Sequence, residues 1–530
     1  SPSGGSRPKP SYRMFKTLGH IARLMRAAWT LARHDAIFPA EYQQSLPAPA
    51  RVLGRFARLI AIRDRASNPG ERLARALEEL GPSYVKFGQV LATRADVIGV
   101  EFARGLSRLQ DRMEPFGDAR AREILQSELG APVETLFAEF GPPVAAASIA
   151  QVHKAVTRDG DTVAVKILRP DVEARIYRDI AALRLGAKLA EGLLPKSRRL
   201  EPRAFVETIA RSLRLELDFR LEAASASELK EAAAAAENFF IPDVEWALTT
   251  RRVLVTEWID AIPLTDIERV RAADIDPLKL SEDITDAFLS TALDRGVFHA
   301  DMHAGNLFVT ETGQLWAVDF GIMGRLEASE RRYLALILHG FLTKNYEAAA
   351  EAHFSAGYVP GRHSKADFAS ALRAVAEPIF GKKASEVPMS RVLMQLFEIT
   401  ELFDMRLQPQ LVLLQKTMVQ AEGVCRLLSS EHNMWKASEA SVERFMRREL
   451  GPEGLVLDLV EDLKRARNAV RRLPDTLATL EAAADAVVAM EARSAERAAR
   501  RWKQRPLWIT AAIVGAAACA GAVLAAAILL

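Results

Sequence analysis

Apolar residues recur every three or four positions in the first stretch of the chain that can be read. In Met14–Arg33 they fall at Phe15, Leu18, Ile21, Ala22, Met25 and Trp29, with Lys16, Arg23, Arg26 and Arg33 between them. That is a helical period. It predicts a basic amphipathic helix, suited equally to an anionic lipid surface and to ordinary packing on a core. Residues 71–140 continue as helical patterns broken by turn signals. From 141 to 170 the pattern changes to Pro and Gly, then to alternation around Asp159-Gly160. This predicts a hairpin with strands Val152–Val156 and Thr162–Ile167. Helical patterns resume to about Ala236, and the alanine-rich "KEAAAAAENF" at 230–239 belongs to them. "RRVLVTEWI" at 251–259 reads as a buried strand. From 260 the pattern is helical, broken by a short β segment in "NLFVTETGQLWAVDFG", and it stays helical from 327 to 450. Residues 455–505 read as one or two charged helices, and no repeat is present.

The last 24 residues differ from all of this. Leu507–Leu530 carries no charge, and at ~1.5 Å per residue it is long enough to cross a bilayer once. Trp502 and Trp508 bracket its start, as interfacial aromatics do, and Arg493, Arg497, Arg500, Arg501, Lys503 and Arg505 precede it. The positive-inside rule then places nearly the whole protein on the cytoplasmic face. Small residues such as Gly515, Ala518 and Gly521 would admit a close-packed neighbouring helix.

Composition adds bounds. The chain has 530 residues, 49% of them hydrophobic and 26% charged, which predicts a globular protein of more than one lobe. The net charge of +3 implies no global electrostatic partner, nucleic acid included. Yet Arg7–Arg75 holds 14 Lys/Arg against 4 Asp/Glu. Cys425 and Cys519 are the two cysteines, too few for a disulfide framework or a zinc site, so a reducing compartment is expected. The opening "SPSGGSRPKP" lacks an apolar h-region and reads as an expression remnant or irregular tail rather than a signal peptide.

The densest chemistry lies in "VFHADMHAGNLFVTETGQLWAVDFG". Asp301 precedes Asn306 by five residues, and Asn306 precedes the Asp319 of Asp-Phe-Gly by thirteen. Phosphoryl transfer needs metal ions, alignment and charge neutralisation more than covalent help. The set resembles the catalytic loop and metal-binding motif of the protein-kinase-like fold. Asp301 would orient or deprotonate the nucleophile, while Asn306 and Asp319 would hold Mg²⁺. Lys166, in "TVAVKILRP", would bind the α/β-phosphates of ATP, and Glu222, in "ELDFRLEA", is the carboxylate expected to hold it. "TEWIDA" at 256–261 resembles a hinge whose backbone at Glu257–Ile259 meets adenine. The turn before Lys166 is unusual. Val144, Ala145, Ala146, Ala147, Ser148, Ile149, Ala150, Gln151 and Val152 occupy the place of a phosphate-binding loop, with alanine where glycine is expected.

With these pieces in order, the chain resembles the UbiB family of atypical kinases of ubiquinone biosynthesis. The resemblance rests on "KFGQ" (Lys86, Phe87, Gly88, Gln89), "LQDRMEP" (109–115), "AAASIAQVH" (145–153), "VAVK" (163–166), "ELDFRLEA" (216–223), "HADMHAGN" (299–306) and "DFG" (319–321). It implies an α+β, two-lobed kinase-like fold. An N-terminal helical extension (14–140) would cover the active site of an N-lobe (141–262) and a helical C-lobe (263–450). Juxtamembrane helices (451–506) and a transmembrane helix (507–530) would come after them. It implies that Lys86 enters the pocket and that Gln89 lines it, contacting the acidic pair Glu216/Asp218. It implies that the alanine loop alters nucleotide selectivity and slows phosphoryl transfer. Alanine carries a Cβ and disfavours positive φ, so the loop should be held differently from a glycine-rich one.

The function so implied is an ATPase or atypical kinase of the bacterial inner membrane, using ATP and Mg²⁺ to give biosynthetic enzymes access to lipid-soluble quinone precursors. Anionic lipids, those precursors and pathway enzymes are the partners it brings, and a homodimer stays open. A helix starting near Ser329 leaves little room for an activation segment, which disfavours protein substrates. A lipid or protein kinase and a nucleotide-sensing scaffold without turnover are the other readings. A hydroxylase is not supported, because no flavin fingerprint or iron-ligand set is visible.

Overall fold

The computed structural model describes residues 10–36, 68–92, 100–106, 113–193, 202–234, 236–378, 398–405 and 408–450, with single positions at 98, 109 and 395. The chain divides into two compact units, Ser1–Met446 and Arg447–Leu530. The charged helices expected at 451–506 and the span expected at Leu507–Leu530 lie outside the described residues. Among the described residues no helix is long and apolar enough to cross a membrane.

Four helices come first: α1 (Pro10–Arg33), α2 (Pro69–Leu80), α3 (Pro82–Ala92) and α4 (Val100–Leu106). Local chemistry sets their ends. Asn68 caps α2 by accepting the Glu71 amide at 2.9 Å, Pro69 opens it, and Gly81 closes it. α5 (Asp118–Leu129) and the single turn α6 (Val133–Leu136) lead into β1 (Phe137–Ala146), β2 (Ala150–Thr157) and β3 (Thr162–Leu168). The expected hairpin is therefore present, as β2 and β3, each slightly longer than its periodicity indicates. Nothing in the alternation announces β1. Its sequence, "FAEFGPPVAA", holds two prolines, which only an edge strand or bulge tolerates. It is an edge strand, and its register shifts between Phe140 and Pro143.

Helices α7 (Val172–Leu193), α8 (Pro202–Glu216) and α9 (Phe219–Ala233) come next, then β4 (Phe239–Phe240), β5 (Val253–Glu257) and β6 (Ile262–Pro263). Strands β1, β2, β3 and β5 form one antiparallel sheet in that order. The alternation along β3 decides what each face does. Val163, Val165 and Ile167 turn to one face and pack with Ala121, Ile124 and Leu125 of α5. The other face packs on α7, α8 and α9 through Leu168, Ile176, Ile209, Leu213 and Phe219. Lys166 lies on that second face.

The rest is largely helical, as expected: α10 (Ile267–Ala272), α11 (Pro277–Ser290), α12 (Ala328–Leu342), α13 (Tyr346–Ser355), α14 (Lys365–Ala376), α15 (Pro409–Leu428) and α16 (Met434–Leu450). Between α11 and α12 lie β7 (Val297–His299), β8 (Leu307–Val309), β9 (Leu315–Ala317) and β10 (Met323–Arg325). β8 and β9 are the short β segment expected around "NLFVTETGQLWAVDFG". β6, β7 and β10 are two or three residues long, too short to show a period of two. They exist because tertiary pairing satisfies them: β7 with β10, and β6 with β8. Helix α12 starts two residues earlier than a cap at Ser329 would place it. Its cap is Glu327 rather than Ser329, in a reciprocal capping box with Glu330, a glutamate taking the place serine usually has.

Candidate active site

Strand β3 presents Lys166 to the first turn of α9. That helix buries Phe219, Glu222, Ala223, Ala226, Leu229 and Ala233 along one stripe, so Glu222 is a carboxylate set among apolar neighbours. The Lys166 Nζ donates to Glu222 Oε1 at 2.6 Å and to Asp319 Oδ1 at 3.2 Å. It also lies 5.4 Å from the centre of the Phe219 ring. Burial works against the Lys166 ammonium, but Asp319 and Glu222 outweigh it and hold the group firmly protonated. Burial pushes the Glu222 carboxyl up to about 7, with Lys166 pulling the other way. Lys166 holds Asp319 well below the usual carboxylate range, against burial and with Lys86 adding to the pull.

Asp319 adopts a left-handed backbone, φ 63°. Aspartate tolerates this better than most residues, at some cost in strain. The catalytic loop is locked from beneath. His299 is buried; its Nε2 donates to the Val318 carbonyl at 3.1 Å, and its Nδ1 accepts the Asp301 amide at 3.1 Å. Those two bonds set the tautomer, and burial holds the ring below its usual pKa. Asn306 is buried, with its Nδ2 donating to the Asp301 carbonyl at 3.0 Å. The Val318 amide donates to the Asn306 carbonyl at 2.9 Å, tying the loop to the segment that follows β9 and carries Asp319.

The metal assignment can be tested on these contacts. The Asn306 amide is oriented with its nitrogen engaged, which leaves Oδ1 as the atom able to meet a cation. Asp319 stays anionic. Mg²⁺ needs only one or two protein ligands when phosphate and water supply the rest, so this pair fits. Among the described residues there is no group of three or more His, Cys, Asp or Glu side chains suited to a metal ion.

The alanine-rich turn answers the question its composition raised. Among the described residues positive φ is confined to five non-glycine positions and six glycines, none of them between 144 and 152. The turn therefore needs no glycine. It closes with the Ala147 amide donating to the Ala150 carbonyl at 2.8 Å. Arg169 clasps it from outside, with Nε on the Ala147 carbonyl at 2.8 Å and Nη2 on the Glu114 carbonyl at 2.8 Å. The Met113 amide donates to the Ala146 carbonyl at 3.1 Å. Gln151 reaches the same segment, accepting from the Phe116 amide at 2.9 Å. Val144 and Ala145 are exposed, Ala146, Ala147 and Val152 half-buried, and Ser148, Ile149 and Ala150 buried.

Of the other expected residues, Lys86 and Gln89 lie on α3, both half-buried. Lys86 pairs with Glu216 at 3.1 Å. The acidic pair expected beside Gln89 is thus divided: Glu216 meets Lys86, and Asp218 caps α9 and pairs with Arg220. Glu257 ends β5. Its amide donates to Asp243 and the Trp258 amide to Thr162. Among the described residues the Ile259 amide has no such partner, which suits it to an adenine nitrogen.

The sequence reading missed two residues. Lys416 and Gln420, one turn apart on α15, both donate to Asp301 Oδ1, at 3.3 and 2.9 Å. More than a hundred residues separate them from Asp301, and an (i, i+4) pair on a helix gives no local sign of its partner. Lys416 and His303 together keep the Asp301 carboxyl below its usual range despite burial.

Comparison with known proteins shows the family. The profile of the ABC1 atypical kinase-like domain matches residues 108–353, and that of the UbiB helical domain matches residues 372–433. A curated relative, the Probable protein kinase UbiB of Marinobacter nauticus, is 36% identical over 514 residues, covering 94% of this chain and 93% of its own. The chain belongs to the UbiB family. The kinase-like part holds Lys166, Glu222, Asp301, Asn306 and Asp319, and the UbiB helical domain holds Lys416 and Gln420. Among solved structures, Rv3197 from Mycobacterium tuberculosis, in complex with erythromycin, is similar at 23% identity, with a TM-score of 0.47, over 74% of this chain and 96% of that one.

Proposed function

We propose that this UbiB-family protein hydrolyses Mg-ATP at a membrane surface and uses the turnover to give ubiquinone-biosynthesis enzymes access to membrane-embedded quinone precursors. One observation carries the ATP half: a protonated Lys166 held between Glu222 and Asp319, 2.6 and 3.2 Å away. A half-buried ammonium fixed by two acidic side chains is arranged to accept nucleotide phosphates as its third partner. Asn306 Oδ1 and the Asp319 carboxylate would hold Mg²⁺, which when bound neutralises phosphate charge. Asp301, anionic and held by α15, is placed to receive a proton from the attacking oxygen. Lys86, paired with Glu216 beside the site, favours a pocket roofed by α3.

The short connection between Asp-Phe-Gly and α12 favours hydrolysis over protein phosphorylation. Residues 322–327 are all that separate Gly321 from α12, and three of them form β10. Arg325 of β10 pairs with Glu228 of α9. That leaves no platform for a peptide.

The membrane half rests on the apolar, uncharged sequence of 507–530 and on α1. Ala27 and Thr30 of α1 are buried, while Ile21, Met25 and Trp29 stay 43, 65 and 56% exposed. The helix thus packs on the fold and still offers an apolar stripe. The test is ATP turnover by the full chain, with and without anionic liposomes and a short-chain quinone-precursor mimic. Wild type should show Mg²⁺-dependent turnover raised by both additions, and Asp319→Asn should lose about 10²–10³-fold or more. Wild-type turnover in Asp319→Asn, or γ-phosphate transferred stoichiometrically to the mimic, would refute hydrolysis at this site.

A further inference from the structure

We propose that Lys416, delivered by the UbiB helical domain, is the cation that contacts the transferring phosphoryl group from the catalytic-loop side, with Gln420 as a positioning residue beside it. The inference rests on the phosphoryl-transfer reading above and extends it to residues outside the kinase-like domain.

The loop that carries Asp301 brings no lysine or arginine of its own. From Asp301 to Asn306 it reads "DMHAGN". His303 lies within it; its Nδ1 accepts the Gly305 amide at 3.0 Å, and its Nε2 stands 3.6 Å from Asp301 Oδ2. Lys166 is held on the opposite, β3 side by Glu222 and Asp319. A dissociating phosphoryl group spreads negative charge over three oxygens, and donors fixed around it lower the barrier. Among the described residues the loop side would have no cation of its own without Lys416. The Lys416 ammonium lies 3.3 Å from Asp301 Oδ1, and its side chain is 32% exposed, so it borders open space while anchored. It is the strongest attractive charge acting on the Asp301 carboxyl.

The two oxygens of Asp301 are thereby divided. Oδ1 accepts from both Lys416 and Gln420. Among the described residues Oδ2 has His303 near it, at 3.6 Å, and is the oxygen left to receive a proton. Gln420 turns its amide nitrogen to Asp301 although its own Oε1 is left buried with no donor among the described residues. Orientation of the aspartate accounts for that arrangement. In the step itself the attacking water oxygen passes its proton to Asp301 Oδ2 and forms a bond to the γ-phosphorus. The bond from that phosphorus to the β,γ-bridging oxygen breaks with its electron pair, and ADP and phosphate result. Lys416 faces the equatorial oxygens throughout.

The test uses the full-length protein with wild type, Lys416→Met, Lys416→Arg and Gln420→Ala. It reads kcat and KM for ATP, the affinity for Mg-ADP, and the extra tightening of Mg-ADP by aluminium fluoride, which mimics the transferring group. Lys416→Met should lower kcat by about 10²–10³-fold, leave KM and Mg-ADP affinity unchanged, and lose the aluminium fluoride effect. Lys416→Arg should restore most of both. Gln420→Ala, which keeps the cation, should cost about tenfold in kcat. Wild-type kcat in Lys416→Met would overturn the inference while leaving the ATPase reading intact. Parallel loss of kcat and Mg-ADP affinity, not recovered by arginine, would mark a merely structural lysine and overturn it too. No turnover in wild type would refute the ATPase reading, and this inference with it.

Discussion

Burial keeps two histidines of this protein in their neutral form. His432 is fully buried, with Nε2 3.2 Å from the Thr285 hydroxyl, and burial pushes its pKa down to about 4. His353, packed edge-on against Tyr358 and Phe368, is likewise pushed down to about 4 by burial. In the unfolded chain both would take up a proton near 6.5. Between pH 6.5 and 4 the unfolded state therefore binds more protons, and stability falls as pH falls through that window. Each can contribute up to about 3 kcal/mol of this loss, less what partial exposure of His353 returns. Urea unfolding at pH 6.5 and 4.5 checks it. Wild type should lose stability across the interval, and His432→Leu should lose measurably less. Equal losses in the two would show that His432 does not remain neutral. Residue identities at the candidate site were legible for another reason: Asp301, Asn306 and Asp319 are chemically specific types at short spacings, and Lys166 stands in the strand sequence VAVK. Glu222 stood as one of three neighbouring acids with Glu216 and Asp218, and the structure shows that it is the one held against Lys166.

At the scale of elements, α3 shows why one glycine sits inside a helix that propensity alone would fill with alanine. A Cβ on Gly88 would lie 2.4 Å from Leu109 Cδ1 and 2.6 Å from Leu77 Cδ1, and both leucines are buried. An added methyl gains roughly 1 kcal/mol of helix propensity but must push two leucine ends aside. Gly88→Ala should therefore be nearly neutral. Gly88→Val adds bulk and a β-branch, and should destabilise by about 1–3 kcal/mol. It should also shift Lys86 from Glu216, since Lys86 rides on the displaced helix. Chemical unfolding gives the first quantity, and the effect of Gly88→Val on nucleotide affinity gives the second. A Val variant as stable as wild type would mean that α3 is free to move outward. The strands missed in the sequence fail at this same scale. β1 carries prolines on an edge, and β7 and β10 are too short for alternation, so only pairing partners make them strands.

At the scale of the whole molecule, the candidate site draws on β3, α9, the loop after β7, the turn before α12 and α15 at once. A ligand that bridges them should stabilise all of them together. Mg-ATP at about 100 times its Kd should add about 2.7 kcal/mol to unfolding, read as a rise in Tm. ATP without Mg²⁺ should add much less, and Lys166→Met should remove the shift. An equal shift with and without Mg²⁺ would place the nucleotide away from Asn306 and Asp319.

What the amino-acid order determined unaided is whatever depends on near neighbours. That covers the helical and hairpin periods, the uncharged stretch at 507–530, and the acids and lysine that phosphoryl transfer requires. Only the tertiary structure decided which acid meets Lys86, how the alanine turn is held by Arg169, and that a lysine and a glutamine from a distant helix complete the surroundings of Asp301. Those contacts join residues up to 130 positions apart, as Lys86 and Glu216 are, and a pairwise attraction of a few ångströms leaves no periodic trace along a chain. They become visible only when burial forces the partners together.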